Sequence, residues 1–99
     1  RVDLGYPSKE PPAVLFHGTA ADRWASIQRD GLHAGSRHAV HLSADAETAF
    51  RVGARHGRPV VLEVAAAQMH DEGHKFARAD NGTWLVDVVP AQYLRLKRS

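Results

Sequence analysis

Two short stretches of the sequence hold the residue types that could do chemistry. "LFHGTA" (15–20) sets His17, Gly18 and Thr19 at the end of an apolar run, just before a helix-like segment. Glycine lets a ligand approach the backbone closely. The start of a helix offers free N–H groups beside the threonine hydroxyl, and a neutral imidazole can bond a sugar hydroxyl. The plainer reading is a core histidine followed by an N-capping threonine. "RHAVHLS" (37–43) follows, with Arg37 four residues before His41 and just after a loop containing Gly35. A guanidinium there can fork onto phosphate oxygens, or it can be a solvated arginine at a strand edge. In a third cluster, "ADNGTWL" (79–85), turn chemistry accounts for Asn81-Gly82 and the core for Trp84. Together the clusters suggest a polar, nucleotide-like ligand and no more.

Other chemistries find no support. Seven histidines suggest zinc, yet there is no HExxH and no cysteine. His38 and His41, three apart on a predicted strand, point to opposite faces. His70 and His74 are spaced for a helix face, but Gly73 intervenes. No metal site is therefore expected. GxSxG, P-loop and GxGxxG patterns are all missing. The 99 residues allow one domain, and 43% apolar with 24% charged residues is ordinary globular composition. A net charge of +2, from 13 basic and 11 acidic residues, is too weak for a dedicated nucleic-acid binder. No apolar run reaches a membrane span and no signal peptide opens the chain, so no membrane partner and a cytoplasmic location are expected. Opening on arginine rather than methionine, the chain reads as processed or cut from something longer.

The elements that must position these residues alternate. Residues 1–12, "RVDLGYPSKEPP", form a proline-rich lead-in or linker. A buried strand is predicted over 13–18, then a three-turn helix over 19–31, with Thr19 and Asp22 at capping-box spacing and Gly31 at its end. A strand over 38–43 precedes a helix over 44–57, with acidic residues in its first turn and Ala46, Ala49, Phe50 and Ala54 on one face. "RPVVLEVA" (58–65) is a further strand and "AAAQMHDEG" a short helix or turn. A hairpin turning at Asn81-Gly82 in type I′ form follows. "AQYLRLK" makes a last strand with Tyr93 and Leu94 inward, and Arg95–Ser99 includes a solvated basic tail. This order predicts an α+β fold with a split, mostly antiparallel β-sheet and two main helices.

Taken in order, "PPAVLFHGT", "SIQRDGL", "RHAVHLS", "VGARHGRPVVLEV", "ADNGTWLVDVVP" and "YL" change the reading. Over about Leu4 to Leu96 the chain resembles RNA 2′-phosphotransferases of the KptA family. The resemblance implies that residues 13–99 are the C-terminal, NAD-binding lobe of ADP-ribosyltransferase fold, and that the N-terminal winged-helix-like lobe is absent. It implies transfer of an internal RNA 2′-phosphate, such as that at a tRNA splice junction, to NAD⁺. The products would be ADP-ribose 1″,2″-cyclic phosphate, nicotinamide and RNA with a 2′-OH. NAD⁺ would be a co-substrate, with no metal, and the partners 2′-phosphorylated RNA or tRNA and the chain's own N-terminal lobe.

Residue by residue, the resemblance places His17, with Gly18 and Thr19, on the adenosine ribose. It places His41, with Ser43 close by, near the nicotinamide-side ribose. Arg37 becomes the catalytic arginine that holds the 2′-phosphate and offsets charge during transfer, and Arg55 a phosphate contact. The third motif position falls around Gly82–Thr83 with no acid, which suits a nucleophile that is already anionic. One position departs from the family pattern: Ala39 stands where a histidine is usual, and His38, one place earlier, faces the other way. An isolated lobe is expected to be weakly active or inactive. The competing readings are an ADP-ribosyltransferase that caps 5′-phosphorylated nucleic-acid ends, a non-catalytic NAD or ADP-ribose-binding module, and a plain scaffold.

Overall fold

A computed structural model describes residues 5–98; residues 1–4 of the lead-in and Ser99 of the basic tail lie outside the described residues. The chain runs β1 (Leu15–Ala20), a 3₁₀ turn (Ala21–Arg23), α1 (Trp24–Asp30), β2 (Leu32–His33), β3 (Val40–Leu42) and α2 (Ala46–Ala54). It continues through β4 (Pro59–Val64), α3 (Ala66–Asp71), β5 (Ala77–Arg78), β6 (Trp84–Val86), β7 (Val88–Val89), a second 3₁₀ turn (Ala91–Tyr93) and β8 (Leu94–Leu96).

The architecture is α+β, and every strand pair is antiparallel. One three-stranded sheet has the order β1-β4-β8 and a second β3-β6-β5, with β2 and β7 forming a separate ribbon. The two larger sheets meet at one point, where Phe16 and Ser43 exchange backbone hydrogen bonds of 2.9 and 2.7 Å. That junction is the split anticipated from the element order. It also sets the end of β3 against β1.

Strand alternation decides what each face meets. On β1, Leu15 is fully buried against the core that also holds Leu42, Leu62, Val64, Met69, Phe76, Val86 and Val89. Gly18 is on the other face, under α2. A Cβ at Gly18 would fall inside the Ala49 carbonyl, and one at Gly53 would lie 2.9 Å from both Thr19 N and Thr19 O. Helix and strand therefore touch backbone to backbone through two glycines. At the other end of α2, the Asp45 carboxylate caps the first turn, accepting from Thr48 N at 2.7 Å and Thr48 Oγ1 at 3.0 Å. Those two bonds hold its carboxyl below the usual value.

Several expectations need correction. Thr19 caps nothing, because it is the fifth residue of β1, paired with Val60. The first helix is correspondingly short, beginning at Trp24 after the 3₁₀ turn, though Gly31 ends it as expected with its N–H on the Ile27 carbonyl at 2.8 Å. β3 starts at Val40, so His38 lies outside it. On α2 the inward residues are Ala49 and Gly53, while Phe50 is 52% exposed. Two glycines at the contact rotate the helix toward its smallest side chains, which an apolar count overlooks.

The hairpin does form, but not through a type I′ turn. Gly82 has φ +90°, and among the described residues only glycines take positive φ. Gly82 N bonds the Ala79 carbonyl at 2.9 Å, Ala79 N the Thr83 carbonyl at 2.8 Å, and Asn81 Oδ1 accepts from Thr83 N at 3.0 Å. The asparagine side chain closes a three-residue loop instead. Of the lead-in, Ser8 bridges to Ala77 and Lys9 N bonds the Phe76 carbonyl at 2.8 Å, so this stretch runs along the β5 edge.

The glycine contact yields a direct test. Gly18→Ala forces a methyl group into the backbone of α2 and should lower unfolding free energy by about 3 kcal/mol, read from the urea midpoint. An unchanged midpoint would mean that helix and strand are not in backbone contact.

Candidate functional site

The cleft of about 740 Å³ lies where β1, β3 and the loop before β3 meet α1 and the end of α2. His17, Gly18, Thr19, Arg37 and His41 all line it. Five of the seven site residues anticipated from sequence therefore come together. Ser43 and Arg55 are not among the lining residues. Ser43 instead supplies the backbone junction with Phe16, and Arg55 caps the end of α2. Gly82 and Thr83, in the hairpin loop, are not part of the lining either.

The reason for Gly18 differs from the one anticipated. No helix begins at Thr19, so the helix-start N–H groups invoked there do not exist; the backbone of Gly18 and Thr19 is paired with β4. What approaches Gly18 closely is α2. The cleft is thus not floored by a flexible loop. Its floor is a strand clamped between β4 and a helix.

Three polar side chains form a connected set. His17 Nδ1–H donates to the His41 carbonyl at 3.1 Å, which leaves His17 Nε2 as an acceptor in the neutral ring. Arg37 Nη1–H donates to His41 Nδ1 at 3.0 Å, which places the His41 proton on Nε2. One imidazole thus keeps a free acceptor and the other a free donor, while Arg37 retains further N–H groups and its full charge. Burial pushes the His17 ring below its ordinary value; the bond to the His41 carbonyl opposes this, and the His41 and His56 charges reinforce it. For His41, burial and then the Arg37 charge act downward. Both rings are held neutral near pH 7.

Sequence reading missed other groups on the cleft: Asp22 and Arg23 in the 3₁₀ turn, Ser26 on α1, His33 on β2, and His56 in the turn after α2. Ser26 Oγ bonds back to the Arg23 carbonyl at 3.0 Å, and His33 Nε2 donates to the Asp30 carbonyl at 2.7 Å. No local pattern marked His56, whose place on the cleft follows from the contact of Gly53 with β1. Ala39, at the position where the resembled family usually carries histidine, lines the cleft and is 2% exposed. Among the described residues, no group of three or more His, Cys, Asp or Glu side chains is placed to hold a metal ion. Of the spaced pair considered for zinc, His74 packs edge-on against Tyr93 with ring centroids 5.6 Å apart.

Comparison with known proteins agrees over most of the chain. The model of the RNA 2′-phosphotransferase, Tpt1 / KptA family matches residues 2–88. A probable RNA 2′-phosphotransferase of Agrobacterium fabrum is 57% identical over 94 residues, covering 95% of this chain and 50% of the relative. Proteins of the same description from Streptomyces griseus and Burkholderia lata are 54% and 53% identical, covering 97% and 95% of this chain and 51% and 48% of theirs. The chain spans about half the length of the curated relatives it matches.

The neutral histidines set the acid response of stability. Unfolded His17 titrates at 6.5, whereas the folded ring takes a proton only at lower pH. On acidification the unfolded state binds the proton first, so stability falls as pH drops below 6.5 toward the folded value. Urea titrations over a pH series should show this slope in the wild type and a shallower one in His17→Gln. Equal slopes would contradict the buried neutral ring.

Proposed function

Because this chain belongs to the RNA 2′-phosphotransferase, Tpt1 / KptA family, we propose that it is the NAD⁺-binding catalytic lobe of such an enzyme. The reaction proposed moves an internal RNA 2′-phosphate, as at a tRNA splice junction, to NAD⁺. It yields ADP-ribose 1″,2″-cyclic phosphate, nicotinamide and RNA with a 2′-OH. Among the described residues, no helix is long and apolar enough to cross a membrane. A cytoplasmic setting and a second, N-terminal lobe belong to the same proposal.

The observation that carries the reading is the bonded set His17–His41–Arg37 on one cleft. Its donors and acceptors suit NAD⁺, which would supply the electrophilic sugar carbon and nicotinamide as leaving group. Here His17 Nε2 accepts from a hydroxyl of the adenosine ribose, with Gly18 and Thr19 forming the wall beside it. His41 Nε2–H donates toward the nicotinamide-side ribose. Arg37 binds the RNA 2′-phosphate and stabilises charge as the phosphoryl group transfers, an electrostatic role that needs preorganised donors and no general base. The volume of the cleft is within the range of small-molecule sites. Ser43 and Arg55, which flank rather than line it, are proposed as outer contacts, Arg55 on a phosphate.

Calorimetry tests the reading. NAD⁺ and ADP-ribose should bind the wild-type chain, and His17→Ala should weaken both by about tenfold or more, as expected for a lost hydrogen bond in a desolvated site. Arg37→Ala should retain ADP-ribose binding yet abolish nicotinamide release from 2′-phosphorylated RNA when the N-terminal half of a relative is supplied. A folded chain that binds neither nucleotide would overturn the proposal. ADP-ribose left on the acceptor as product would instead indicate end-capping.

A further inference from the structure

Arg37 comes from the loop between β2 and β3 and is exposed. Among the described residues it makes no ion pair; its hydrogen-bond partner is the neutral ring nitrogen His41 Nδ1, at 3.0 Å. This is an unusual way to fix an arginine. A carboxylate would hold it more strongly but would neutralise the charge that a phosphate needs. A neutral imidazole orients the guanidinium and leaves its charge and remaining donors available.

We propose that His41 is a positioning residue for Arg37: its neutral ring holds the guanidinium at the cleft, and protonation of that ring releases it. The inference rests on the reading of Arg37 as the group that takes the substrate's phosphate. His41 is itself well anchored. Its strand neighbours Val40 and Leu42 are buried, Leu85 of β6 pairs with it across the sheet, and its carbonyl accepts from His17. The charged and titratable groups facing the same space are His17 from β1, Asp22, Arg23 and Asp30 from the first helical segment, His33 from β2 and His56 after α2. No hydrogen bond joins any of these to the His41 ring, whose side-chain partner is Arg37. A proton on Nδ1 would convert the bond into two adjacent cations, and among the described residues no carboxylate lies within ion-pair distance to hold Arg37 in place. The side chain would then regain its rotamer freedom.

Two measurements on the chain test this. The first needs no ligand: ring ¹⁵N spectra should show His41 with Nδ1 as an accepting nitrogen and the proton on Nε2. Arg37→Ala should raise the titration midpoint of His41, because a neighbouring cation is removed; an unmoved midpoint overturns the couple. The second uses a 2′-phosphorylated oligoribonucleotide as probe near pH 7.5. His41→Ala should weaken its binding about tenfold, whereas His41→Gln, whose amide oxygen can accept from Arg37, should stay within about threefold of wild type. Arg37→Ala should lose no more when His41→Ala is added. Acidification should weaken wild-type binding more steeply than that of His41→Gln, because the phosphate and every other titratable group of the cleft are common to both. Stronger wild-type binding in acid, relative to that variant, would make His41 a direct phosphate ligand and overturn the proposal, as would equal losses in the two His41 variants. Should the wild-type chain not bind the oligonucleotide, the reading of the site fails, and the ring titration still decides the His41–Arg37 couple.

Discussion

The backbone contact between Gly18 and Gly53 is the constraint on which the rest of the structure depends. With no side chain on either residue, α2 lies directly on β1: a Cβ at Gly18 would meet the Gly53 nitrogen, and one at Gly53 the backbone of Thr19. Because strand side chains alternate, burying Gly18 under a helix turns His17 to the opposite face. The same contact brings Val52 and His56, at the end of α2, onto the cleft. Dense packing of this kind has little room to relax. The position of the histidine is therefore set by what its neighbour lacks.

On that clamped strand the bonded set of the candidate site joins two neutral imidazoles to a guanidinium that makes no ion pair among the described residues. His17 joins β1 to β3 through the His41 carbonyl, and the His41 ring in turn meets Arg37. The short strand β3 owes its place to two connections, the three-residue ladder with β6 and the Phe16–Ser43 bridge to β1. Ser43 thus has a structural part whatever its side chain does. Acids do line the cleft, Asp22 and Asp30, but from the α1 side and without an ion pair to Arg37. Such an environment suits an anionic ligand, consistent with the proposed phosphate chemistry, because its positive charge is held without being cancelled.

Much of this was legible from the sequence, and the failures have physical causes. The apolar runs before Gly18 and in "VVLEV" read correctly as strands because their burial requires little beyond hydrophobic side chains. α2 was legible from its acidic first turn, and Asp45 supplies the cap. Arg37 and His41 were each legible as candidates, but the hydrogen bond between them was not, because it depends on how the loop before β3 folds back. Gly18 was misread because a missing Cβ says that something comes close and not what does. Thr19 looked like a cap because its hydroxyl and the following helix-forming residues fit that pattern locally, whereas pairing with Val60 is a long-range fact. The reach of His56 into the cleft depends on the α2–β1 contact, which again no local pattern encodes.

The most direct test of the account is to map ADP-ribose onto the chain by amide and side-chain NMR shifts during a titration. The account predicts the largest changes at His17, Gly18, Thr19 and His41, with the β5–β6 hairpin loop around Asn81 unaffected. Changes centred on that hairpin or on the outer face of α2, with the strand residues silent, would contradict it.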